Sequence, residues 1–105
     1  MQADKVWESL VEECSSKPLT LTTKTGLHFN LESDGKQLIV NNSDSMPSSK
    51  LKLPRSIYKE NFCVVFPYAL RILAGEKGLM SKLTSKTVNS VYIISAIKYK
   101  MDSSK

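Results

Sequence analysis

A chain of 105 residues, 41% hydrophobic and 24% charged, has room for one domain over residues 1–105 and too much apolar content to be disordered throughout. A domain of that size buries roughly 65% of its unfolded surface, which is enough for one modest core. The net charge of +5 is unevenly placed: residues 1–49 hold four lysines against seven acids, a balance of −3, and residues 50–105 hold eleven Lys/Arg against three acids, a balance of +8.

Ala3–Ser16 reads as a helix. Val6, Trp7, Leu10, Val11 and Cys14 fall at i, i+1, i+4, i+5 and i+8, an apolar stripe along one face. Asp4 suits the positive end of the helix dipole, and Pro18 stops continuation. Trp7 is the core anchor of this helix, and Glu12 and Glu13 are read as a solvated face.

From residue 19 to residue 40 the apolar period changes from about four to two. Leu19 and Leu21 alternate with threonines, residues 23–26 form a turn, and Leu27, Phe29 and Leu31 alternate with His28, Asn30 and Glu32. Asp34-Gly35 marks a tight hairpin, because both residue types tolerate positive φ. Residues 37–41 form the next strand, with Leu38 and Val40 on one face. This is a three-strand antiparallel meander.

Residues 42–49 have no period and read as a loop. Residues 50–57 alternate again and predict a short strand, with Pro54 placing it at a sheet edge or ending it. Ser56 is a possible cap for a helix running from residue 58 toward residue 66. Pro67 either kinks this helix or begins a second one that ends at Gly75. Leu79 to Leu83 make one more helical turn. Residues 87–100 fit both a strand (Val91, Ile93, Ile97 and Tyr99 on one parity) and a helix capped by Ser85 or Asn89. Alanine and lysine near the end favour helix, and residues 101–105 are expected to fray. The predicted fold is α+β: an N-terminal helix, a three- to four-stranded antiparallel meander, and C-terminal helices packed on one sheet face.

The stretch over residues 19–66 resembles small bacterial α+β domains of uncharacterised function. The likeness is carried by Leu21-Thr22-Thr23-Lys24-Thr25-Gly26-Leu27-His28-Phe29, by Arg55-Ser56-Ile57 leading to Phe62, and by Ser90-Val91-Tyr92 before an aliphatic run. These are structural residues. The resemblance implies a sheet closed by the Arg-Ser-Ile strand and transfers no function.

The chemistry-bearing residues are sparse. His28 is the only histidine, on the polar parity of a strand, and no cysteine or second histidine stands at zinc-ligand spacing. Neither Gly-x-Ser-x-Gly, Gly-x-Gly-x-x-Gly nor Gly-Lys-Ser/Thr occurs, so no metal, cofactor or catalytic residue is expected and the chain reads as a non-enzyme. Cys14 and Cys63, each among apolar neighbours, are expected to be reduced and largely buried. With no secretory signal at Met1 and no apolar run able to cross a bilayer, the expected location is the cytoplasm and no membrane partner is expected.

Two binding readings remain. In the first, the basic second half meets DNA or RNA through Lys50, Lys52, Arg55, Lys59, Arg71, Lys82, Lys86 and Lys98. Ser85-Lys86-Thr87-Val88 would then open a recognition helix, and Tyr58, Tyr68, Tyr92 and Tyr99 lie among lysines where bases could stack. In the second, the chain is a protein-interaction module or homodimer using a strand edge or the Trp7 helix.

Overall fold

The computed structural model of the chain describes residues 2–24, 26–44, 54–86 and 89–103, without the side chains of residues 84–86. Helix α1 (Ala3–Ser16) has the limits expected from its apolar stripe. Val6, Trp7, Leu10 and Cys14 are buried on it, and Trp7 is only 5% exposed. It ends because Lys17 precedes Pro18: the proline ring disfavours helical backbone at the residue before it, and Lys17 is extended at φ −161°, ψ 150°.

Four strands follow: β1 (Leu19–Thr22), β2 (His28–Ser33), β3 (Leu38–Asn42) and β4 (Arg55–Ile57). They form one antiparallel sheet in the order β1-β2-β3-β4, the meander the period-2 pattern predicts. The register pairs Leu21 with Phe29, Leu31 with Val40, and Leu38 with Ile57. All six are buried on the side the helices cover. The opposite parity carries Thr20, Asn30 and Asn41 in one cross-strand row, with Thr20 Oγ1 donating to Asn30 Oδ1 at 2.8 Å.

The β2–β3 hairpin turns at Asp34-Gly35 as expected. Ser33 pairs with Leu38, so four residues form the loop. Only Gly35 takes positive φ, at 94°. Asp34 keeps negative φ and accepts the backbone N–H groups of Lys36 and Gln37 at 2.9 and 3.1 Å. Those donors hold its carboxyl below the usual carboxylate range. The aspartate serves here as a side-chain acceptor, with no need for left-handed backbone.

Strand β4 is the short edge strand expected, with Pro54 just before it. The rest of that predicted strand, residues 50–53, and most of the predicted loop before it lie outside the described residues. The Arg-Ser-Ile segment does close the sheet.

Helix α2 (Lys59–Leu73) runs unbroken through Pro67. Pro67 is exposed, so the Cys63 carbonyl that loses its donor lies on the outward side, where water can replace it. Ser56 belongs to β4, and Tyr58 occupies the N-cap position with no side-chain cap. The helix ends at Ala74 and the chain turns through Gly75 at φ 105°, a left-handed conformation glycine adopts without steric cost.

Helix α3 (Leu79–Lys86) is longer than the single turn expected. Helix α4 (Ser90–Ser103) settles the ambiguous last segment and continues three residues past Lys100, with Met101 packed against the core. Its first turn starts from Asn89, whose carbonyl accepts the N–H groups of Tyr92 and Ile93.

Helices α1 and α4 rest on the sheet, α2 packs on both of them, and α3 bridges α2 and α4. Tyr92 meets Phe29 edge-on at 5.0 Å, coupling α4 to β2, and Trp7 meets Phe62 at 5.3 Å, coupling α1 to α2. Every residue from Tyr92 to Ile97 is buried. A helix enclosed on most sides is apolar at nearly every position, which is why two periods fitted it. No helix among the described residues is long and apolar enough to cross a membrane.

Candidate functional site

Five of the eight cations singled out from the sequence can be placed, and two of those five are in ion pairs. Lys50, Lys52 and the Lys86 side chain lie outside the described residues. Arg55 is half-buried on β4, on the parity of Val40. Lys59 opens α2 with its Nζ 3.5 Å from Asp4 Oδ1. Arg71, in the last turn of α2, grips Glu76 with two bonds, Nε to Oε1 at 3.0 Å and Nη2 to Oε2 at 2.7 Å. Exposed pairs of this kind contribute at most about 1 kcal/mol to stability. Their consequence for binding is larger, because each places an acid where a phosphate would have to sit. Twelve residues of helix separate Lys59 from Arg71, about 18 Å at 1.5 Å per residue. Lys82 and Lys98 are exposed on α3 and α4.

The other nucleic-acid features fare less well. Ser85 and Lys86 end α3 and do not open α4, and Tyr92 to Ile97 of α4 are buried in the core. Thr87 and Val88 are outside the described residues. The open sheet face presents Thr20, Thr22, His28, Asn30, Glu32 and Asn41, with no lysine among its strand residues to meet a phosphate and His28 as its one aromatic ring. His28 is half-buried in β2.

Trp7 itself is buried in the core, so it is not an exposed contact of its helix. Among the described residues the exposed large hydrophobics are Leu27, Tyr58 and Val64. Tyr58 and Val64 are six residues apart, about 240° around a helix, so they make no single patch.

What the fold does build is a groove. Val91, Ile94, Ser95 and Lys98 fall at i, i+3, i+4 and i+7 on α4, which puts all four on one stripe. That stripe faces Ile72 and Leu73 at the end of α2, Met80 on α3, and the end of β1 with its turn. Together they enclose a cavity of about 400 Å³. Its floor is aliphatic and thioether. Its rim carries the exposed Thr22, Lys24 and Lys98, and buried Thr23 also lines it. None of the chain's ten acids is among the described residues that line it. Neither Lys24 nor Lys98 is in an ion pair among the described residues. The Ser95 hydroxyl donates back to the Val91 carbonyl at 2.9 Å, so toward the cavity it can only accept. Of the five predicted cations among the described residues, Lys98 lines this groove. Lys24 was passed over because it lies in the acidic half of the chain.

A second polar constellation ties α1 to α4. Tyr99 Oη donates to Glu13 Oε2 at 2.6 Å, and Lys100 Nζ donates to Glu13 Oε1 at 3.1 Å. Glu13 is therefore not the solvated residue its neighbour Glu12 is. The Tyr99 hydroxyl and the Lys100 ammonium hold its carboxyl below the usual range, and the carboxylate pushes the Tyr99 phenol up.

Neither cysteine is set up as a nucleophile. Burial pushes the Cys14 thiol up to about 11, and burial with the nearby Asp4 carboxylate raises Cys63. Both are free. Cys63, however, is only half-buried, against the expectation for it, because it sits at the margin of the α2 apolar stripe beside Asp4 and Lys59. Native protein is therefore expected to give one slowly reacting thiol at mild alkaline pH, and denatured protein two. Rapid reaction of both in the native state would contradict this placement. No three His, Cys, Asp or Glu side chains among the described residues gather to hold a metal ion.

Comparison with models of known families, with curated proteins and with solved structures found no match to this chain.

Proposed function

We propose that the chain is a non-enzymatic binding module whose ligand is an anion carrying an apolar group, held in the groove between α4, the α2–α3 corner and the β1–β2 turn. The observation that carries this reading is the pairing of an apolar floor with a rim of two lysines and no acid. Ligand sites of a few hundred Å³ with mostly apolar walls and a few convergent polar groups are the usual form of a small-molecule site. Anilinonaphthalene sulfonate, an apolar dye with one anionic group, is the probe. The folded protein should bind it, and Lys24→Glu/Lys98→Glu should weaken binding by at least about tenfold, since each reversal exchanges an attraction of up to about 1 kcal/mol for a repulsion. Unchanged affinity in that variant overturns the reading.

The nucleic-acid reading keeps one observation in its favour, the +8 balance of residues 50–105 with Lys82 and Lys98 exposed. It is the other outcome of the same experiment. Binding of duplex DNA or RNA at about 50 mM salt, falling with log salt by about 0.9 per phosphate contacted, would replace the groove as the primary site. A protein partner or a second copy of the chain has no comparable patch to support it among the described residues.

A further inference from the structure

We infer that the groove takes a medium-chain alkyl carboxylate, with the chain along the α4 stripe and the head between Lys24 and Lys98. This rests on the groove being the binding site and goes further by naming the ligand's chemistry. The floor is made of Ile72, Leu73, Met80, Val91 and Ile94. It has no aromatic ring, so it offers nothing for a nucleobase or other flat ring to stack on. Branched aliphatic side chains and an adaptable thioether suit a narrow, bendable hydrocarbon. Most of these side chains are only partly buried, so an alkyl chain would remove apolar surface from water on both sides of the contact.

The head is limited by the rim. Lysine is a compact point charge, whereas an arginine fork matches planar, two-point recognition. Two lysines without an arginine therefore ask for a small anion and impose little on its shape. Ser95 has its proton committed to Val91 and adds no donor. The cavity of about 400 Å³ lies toward the small end of the range for small-molecule sites. A chain of medium length is therefore the size class it suits, and the length at which affinity stops rising measures its reach.

The experiment is a chain-length series of hexanoate, octanoate, decanoate and dodecanoate, each below its micellar concentration. Binding is followed by calorimetry and by the methyl resonances of Met80, Val91 and Ile94. Affinity should rise between about twofold and fourfold per methylene, the upper figure being full burial, and then flatten as the groove fills. Decanol, which lacks the charge, should bind decanoate's site about three- to tenfold more weakly. Lys24→Ala/Lys98→Ala should remove that difference and leave decanol binding unchanged. Both lysines are exposed, so the variant is expected to fold. Affinity independent of chain length, or decanol binding as tightly as decanoate, overturns the alkyl carboxylate. If the anionic dye still binds in that case, the groove reading stands without it. If neither dye nor decanoate binds, both fall together.

Discussion

Replacing Phe62 with alanine is expected to remove about 3–5 kcal/mol of stability, the range for deleting a fully buried phenylalanine. The side chain has no exposed surface, and its ring stands 5.3 Å from Trp7 and 6.0 Å from Phe66. Phe62, Val65, Phe66 and Ala69 form the α2 stripe that meets α1 and α4, so the cavity would open where three helices converge. Surrounding side chains cannot collapse into it without separating α1 from α2. A chain of this length is stable by about 5–15 kcal/mol in total, so the loss is a large fraction of the whole. At about 4–8 °C per kcal/mol for a domain near this size, the melting temperature should fall by at least about 12 °C. Thermal and urea unfolding followed by circular dichroism measure it. A loss under about 1 kcal/mol would mean that α1 and α2 are not packed as described.

Much of this fold is legible in the sequence, and the parts that are not have a common physical origin. Helix α1 and strands β1 to β3 each have one buried and one wet face, so their periods of about four and two show directly in the order of residues. Residues 92–97 of helix α4 are all buried, and period loses its meaning over that stretch. Pro67 reads locally as a break, yet its position on the exposed side of α2 lets the helix pass through it. The candidate site was less legible still. The charge balance of a segment says how many cations it holds, not which acid each one meets. Lys59 finds Asp4 from the other end of the chain, and Lys98 shares a rim with Lys24. The groove takes its walls from four separate segments, each of which alone is an ordinary half-buried stretch. The one advance signal was on α4, where Val91, Ile94, Ser95 and Lys98 mark a stripe that ends in a charge.

The contact between Glu13, Tyr99 and Lys100 gives the second large expected effect, because it joins residues 86 positions apart across two helices. Lys100 is only 15% exposed along its side chain. Glu13→Ala would remove the carboxylate 3.1 Å from that ammonium and the acceptor of the Tyr99 hydroxyl. A loss of about 2–3 kcal/mol is expected, short of the cost of breaking a fully buried pair because water still reaches the site. The pH dependence follows from the directions of the shifts. The folded protein holds Glu13 below its ordinary 4.5, so this stabilisation is present above about pH 4.5 and is lost as pH falls through the folded value. Tyr99 is raised above its ordinary 10.0, and Cys14 from 9.0 to about 11. Their contributions are present below those ordinary values and are lost as the pH rises through the folded ones. Wild type should therefore be most stable between about pH 4.5 and 9 and weaken on both sides. Asp34, also held low, adds to the acid side, and Glu13→Gln separates the two. The stability difference between wild type and Glu13→Gln should be full near neutrality and shrink on acidification below about pH 4.5, while the Asp34 share persists in both proteins. A difference that stays constant from neutral pH down to acid unfolding would show that the Glu13 carboxylate does not hold α1 to α4.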